Sequence, residues 1–131
     1  MEAMLAAARV VAFVPSTDLG RSRSFYESVL GLPVLSADGF AVVVDGPGGH
    51  IRITDVGSAL RPQQFTILGW EVPDIAAEVD ALTARGVHFL RYPGMPQDDH
   101  GVWTAPGGAQ VAWFHDPDGN TLSLDQQPSE T

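Results

Sequence analysis

The chain has 131 residues, of which 44% are hydrophobic and 18% charged. That suffices for one domain with a real core and is too short for two independent ones. It has no cysteine, and its seven basic residues are all arginine. Disulfides, thiolate metal sites, cysteine nucleophiles and lysine Schiff-base chemistry are therefore excluded. The net charge of −9 repels phosphate backbones and argues against nucleic-acid binding.

The apolar stretch Ala3–Val14 is broken by Arg9 and is too short to span a bilayer. Glu2 precedes it where a leader would carry basic residues, so a cytoplasmic protein without membrane contact is expected. Val10–Val14, rich in valine, reads as a buried strand ended by Pro15. Thr17 or Asp18 caps a helix whose apolar face holds Phe25, Tyr26, Val29 and Leu30, and Gly31 and Pro33 stop it. Phe40–Asp45 and His50–Asp55 read as strands joined by Gly-Pro-Gly-Gly, and Gly57–Gln64 as a polar connector.

The second half repeats that order. Phe65–Val72 reads as a strand, and Pro73 and Asp74 open a helix with Ile75, Val79 and Leu82 on its apolar stripe. Gly86 ends the helix, and Val87–Arg91 reads as a further strand. Tyr92–His100 is a loop, and Val111–His115 and Thr121–Asp125 form a hairpin across Asp116-Pro117-Asp118-Gly119. Val11–Asp18 maps onto Ile67–Asp74 at an offset of 56, and Asp45 and Gly48 onto Asp116 and Gly119 at 71. The difference places a 15-residue insertion between about Gly86 and Gly108. Two tandem βαβββ modules, at about 8–57 and 65–127, account for the pattern. The expected fold is α+β, a curled, barrel-like sheet around a cleft.

Three segments carry a resemblance: Asp18-Leu19 through Phe25-Tyr26 to Leu30-Gly31-Leu32, Trp70-Glu71-Val72-Pro73-Asp74, and Asp116-Pro117-Asp118-Gly119-Asn120. Together they resemble the vicinal oxygen chelate superfamily, which holds glyoxalase I, bleomycin-resistance proteins, extradiol dioxygenases and related epimerases. The resemblance implies homodimers and a divalent metal held by His, Glu or Gln. The matching positions here are Val11, Arg52, Ile67 and Ser123. None is a competent ligand, and the arginine would repel the ion. The resemblance thus implies a member without metal or other cofactor that binds and hides a small ligand.

Alternation along strands turns Phe13 toward the cleft with Val11, and Glu71 and Gly69 with Ile67. His50, Arg52 and Thr54 face in from one module, and Thr121, Ser123 and Asp125 from the other. A four-residue hairpin pairing His115 with Asn120 sets Phe114 opposite Thr121, inward, and turns Trp113 toward the helix. The same logic puts Ala41 opposite Arg52 and Val43 opposite His50. Trp103 adds apolar contact, which makes the ligand set Phe13, His50, Arg52, Glu71, Trp103, Phe114, Ser123 and Asp125. Arg52 has an alternative use as a partner of Glu71 or Asp125, and His50 as a solvent-exposed strand end. Asp98-Asp99-His100 reads as a solvated loop.

The ligand expected is amphipathic, with an apolar or aromatic body. An enzyme using Arg52 or His50 for anion stabilisation or proton transfer is a second reading. A dimeric domain that binds a protein partner is a third.

Overall fold

The computed structural model describes residues 4–129; Glu2 and Ala3, used in the leader argument, lie outside them. The chain divides into two compact units between Leu60 and Arg61. In the first, β1 (Val10–Ser16) runs parallel to β4 (Gly49–Asp55), followed across the sheet by β3 (Ala41–Gly46) and β2 (Val34–Ala37). In the second, β5 (Thr66–Glu71) runs parallel to β8 (Thr121–Gln126), followed by β7 (Gln110–His115) and β6 (Trp103–Thr104). The two sheets have the same strand order, so the repeat read from residue spacing is a repeat of topology. The fold is α+β, with two βαβββ modules.

Each first strand leads into a helix with an acidic cap. The Asp18 carboxylate accepts from Arg21 N at 3.1 Å and opens α1 (Leu19–Arg23). The Asp74 carboxylate accepts from Ala77 N at 3.1 Å and opens α2 (Ile75–Ala84), while Gln126 Oε1 accepts from Ile75 N at 2.8 Å. The helix expected through Leu30 is α-helical only to Arg23 and continues as a π-turn over Ser24–Val29. There Leu30 N donates to Phe25 O at 3.0 Å, and the turn sinks Tyr26 completely into the core. The fully buried hydroxyls of Ser16 and Ser22 lie 2.7 Å apart and tie the end of β1 to α1.

Alternation sorts the side chains as the patterning requires. Val14, Val42, Val44, Ile51 and Ile53 are buried with Tyr26 in the first unit. Ile75, Val79 and Leu82 are buried with Ala112, Phe114, Leu122 and Leu124 in the second. Burying each of the larger side chains stabilises its unit by about 1.5–3 kcal/mol. The hairpin glycines Gly48 and Gly119 occupy equivalent turns with φ of 81° and 84°, a backbone that favours glycine.

Two local expectations are corrected. Val87–Arg91 is not a strand: Phe89 makes an isolated bridge to Phe114, and Leu90 N donates to Trp113 O at 2.8 Å. The outer strand is β6, and the insertion separates the two segments that share the edge of β7. In the first unit β2 supplies the fourth strand, which residue pattern alone had not marked. Among the described residues no helix is long and apolar enough to cross a membrane.

Candidate functional site

On the first sheet, the side chains turned away from the buried face form rows that the register fixes. Phe13, Arg52 and Val43 stand side by side, as do Pro15, Thr54 and Ala41, and Val11, His50 and Asp45. Arg52 therefore faces Val43 and His50 faces Asp45. The expected pairings of Ala41 with Arg52 and Val43 with His50 are each displaced by two residues. Gly46 pairs Gly49 and the turn is tighter than assumed. A shift of two preserves the face, so His50, Arg52 and Thr54 keep the side expected of them.

Phe13, Val14, Pro15, Arg52, Thr54 and Val56 line a hollow of about 350 Å³. Its walls are almost wholly apolar, and the Phe13 side of it is open to solvent, with Phe13 67% exposed. Arg52 is exposed, and among the described residues no carboxylate lies within ion-pair distance of it. Thr54 Oγ1 and His50 Nδ1 are shielded from solvent and have no hydrogen-bond partner, which is unusual for buried polar atoms.

Asp38, in the β2–β3 turn, accepts from the amides of Phe40 at 2.8 Å and Ala41 at 2.9 Å. These bonds, with a smaller contribution from the charge of Arg52, hold its carboxyl below the usual value of 3.8. A lowered pKa contributes stability that is present above 3.8 and lost as pH falls through the folded-state value. Asp38→Asn is accordingly expected to lower the urea midpoint at pH 7, with the two proteins converging as pH drops below 3.8.

On the second sheet the hairpin register differs from expectation by one residue. His115 pairs Thr121, Trp113 pairs Ser123 and Val111 pairs Asp125, so residues 116–120 form the loop. The reason is the Asp116 side chain. Its Oδ1 accepts from the amides of Asp118 at 2.9 Å and Asn120 at 3.0 Å, and its Oδ2 from Asn120 Nδ2 at 2.8 Å. Asn120, buried inside the turn, is therefore not available to pair with His115. A shift of one flips the faces of β7. Phe114 is fully buried opposite Leu122, with its ring 5.4 Å from that of Phe89, and leaves the candidate set. Trp113 takes its place.

The face bearing Trp113 also carries Ser123, Asp125, Gly69 and Glu71. Trp113 lies 6.2 Å from Trp103 between ring centroids, and 5.4 Å from Tyr92 in an edge-to-face contact. Burial raises the Tyr92 phenol above 10.0. Its segment is held by Gln97, whose amide accepts from Tyr92 N at 2.7 Å and donates to Leu90 O at 2.9 Å and Gly101 O at 2.8 Å. Arg91 donates to the carbonyls of Asp98 and Asp99. In the Asp98-Asp99-His100 group, Asp98 serves the turn by accepting from His100 N and Val102 N, and His100 Nε2 lies 3.1 Å from Asp80.

Gly69 has no side chain because Ser123 fills the space. A Cβ at residue 69 would lie 2.6 Å from Ser123 Oγ and 3.1 Å from its carbonyl oxygen. Gly69→Ala is expected to cost about 1–3 kcal/mol. In Ser123→Gly the same change should cost measurably less, as a chemical-denaturation double-mutant cycle would read.

Val11, Arg52, Ile67 and Ser123 do not fit a divalent ion. Two are hydrocarbons, one is a fixed cation, and one is a neutral hydroxyl packed over Gly69. Among the described residues no three His, Cys, Asp or Glu side chains come together as a metal-holding group.

The chain is similar to TnmS3, an antibiotic binding protein from Streptomyces sp. CB03234, with 23% identity and a TM-score of 0.73 over 96% of this chain and 100% of that one. It is similar to a bleomycin resistance determinant encoded on the transposon Tn5, with 19% identity and a TM-score of 0.73 over 94% and 100% of the two chains. A superfamily member from Sphaerobacter thermophilus DSM 20745 shows 23% identity and a TM-score of 0.71 over 95% and 100%. These likenesses concern the fold, and no curated protein matches the chain. A family profile matches residues 8–124, nearly the whole of the two-module architecture. With the matching strand orders and capped helices, it shows that the chain belongs to the Glyoxalase/Bleomycin resistance protein/Dioxygenase superfamily.

Proposed function

We propose that this protein binds an amphipathic small molecule and sequesters it without a metal ion. The observation that carries the reading is the hollow of Phe13, Pro15, Thr54 and Val56 with Arg52 at its wall. A mostly apolar concavity with a few polar groups is the usual form of a small-molecule site, and about 350 Å³ lies within the usual size range. The aromatic face of Tyr92, Trp103 and Trp113 gives the second unit apolar surface of the same kind, beside Glu71, Ser123 and Asp125. The unsuitability of Val11, Arg52, Ile67 and Ser123 as ligands supports metal independence. Similarity in fold to an antibiotic binding protein and to a bleomycin resistance determinant supports a binding role.

The same reading includes a cytoplasmic homodimer of two modules, at about 8–57 and 65–127, with the connector at 57–64. Sedimentation velocity checks the dimer. The binding function is tested by thermal shift against a panel of aromatic amphiphiles, followed by mass spectrometry of recovered ligand. Raised melting temperature with ligand recovered intact is expected. Absence of any shift, or recovery of a chemically altered ligand, would overturn it.

A further inference from the structure

We propose that the hollow of the first unit is selective for a planar aromatic ligand bearing a carboxylate or similar monoanion, which Arg52 holds while Phe13 and Pro15 pack the ring. The inference rests on the binding reading and adds the sign of the ligand's charge. Arg52 is the one charged side chain lining the hollow. Its guanidinium is permanently cationic and presents a donor fork that matches a carboxylate. Asp38, the acidic group on which its charge acts, has Oδ1 committed to the amides of Phe40 and Ala41. Arg52 thus stands at the edge of an apolar hollow, with no carboxylate within ion-pair distance among the described residues, in a chain with a net charge of −9, where nonspecific attraction of anions is not available.

The neighbouring rows give the rest of the ligand its places. Phe13 is the lateral partner of Arg52 in the parallel β1–β4 ladder, and Pro15 that of Thr54. A ring lying along β1 therefore sets a substituent beside Arg52. Thr54 follows Arg52 by two residues on the same face of the strand. Its hydroxyl is shielded from solvent, so Thr54 adds packing surface beside Arg52 rather than a donor. A cationic ligand would meet Arg52 with no carboxylate in this hollow to offset the repulsion.

The test uses matched naphthalene and anthracene probes carrying a carboxylate, a carboxamide or an aminomethyl group, titrated calorimetrically into the full chain. The carboxylates are expected to bind at least about tenfold more tightly than the amides, with the amines weakest. Arg52→Gln should bring the carboxylate down to the affinity of the amide and leave the amide unchanged. Phe13→Ala should weaken all probes alike. If the amide or amine equals the carboxylate, or the preference survives Arg52→Gln, the anion assignment falls while the binding reading stands. If no probe binds below about 1 mM, the binding reading itself falls. Should Arg52→Gln fail to fold, the ranking of probes on the unaltered protein still decides.

Discussion

Phe114→Ala is expected to destabilise the protein by about 3–5 kcal/mol, the cost of emptying a fully buried aromatic site. Trp113→Ala, one residue earlier and larger in side chain, is expected to cost only about 1–2 kcal/mol, because Trp113 is half-buried on the opposite face. The contrast reads the register of the β7–β8 hairpin directly. Phe114 sits opposite Leu122, on the face that packs with Ile75, Val79 and Leu82. Trp113 contacts Tyr92 and Trp103 on the face turned away from that core. A larger stability loss from Trp113→Ala than from Phe114→Ala would restore the four-residue turn and reverse the faces of β7. Thermal and urea unfolding of the two variants decides between them.

The second large effect is expected at Gly49, where β1 and β4 approach each other. A Cβ there would lie 2.0 Å from the carbonyl oxygen of Val10 and 2.9 Å from its carbonyl carbon. Both atoms belong to the backbone, so no rotamer change relieves the overlap. Gly49→Ala must separate the start of the parallel ladder, at an expected cost of about 3 kcal/mol or more. Gly39 is the control. A Cβ there meets nothing within 4 Å and its backbone is not left-handed, so Gly39→Ala should be neutral or stabilising by up to about 1 kcal/mol. Equal effects at the two positions would contradict the close approach of β1 and β4. The consequence for function is direct, since this ladder also places Phe13 beside Arg52.

The architecture was legible because its signals are local and occur twice. Asp18 and Asp74 cap helices at the same offset from their strands, and Gly48 and Gly119 close equivalent turns. Strand alternation carried the faces of β4 and β8, where Ile51, Ile53, Leu122 and Leu124 are buried, whereas Val10–Val14, which read as a buried strand, is buried only at Val14, with Val10 and Phe13 exposed. What escaped was set by side chains acting over a few residues. Asp116 and Asn120 lengthen the second turn through hydrogen bonds that a tetrapeptide turn pattern does not contain, and Trp113 was lost from the candidate set with that one residue. The doubled Asp and the following Asn in Asp-Pro-Asp-Gly-Asn were the available signal. Val87–Arg91 looked like a strand because it is apolar enough, but its neighbour on β7 is shared with Trp103–Thr104 across the insertion. The hollow itself was only half legible. Phe13 and Arg52 follow from alternation, whereas Pro15 and Val56 enter it from positions that read as a strand stop and a connector edge.

Metal-independent binding is the central claim, and the most direct test is elemental analysis of tag-free protein together with its melting temperature. The melting curve is taken before and after chelation, and again with Ni²⁺, Zn²⁺, Mn²⁺ and Fe²⁺ added. Expected are far less than one metal per chain and a melting temperature that neither chelator nor ion moves. Near-stoichiometric metal whose removal lowers the melting temperature would contradict the claim, since only an ion bound by the folded chain stabilises it in that way.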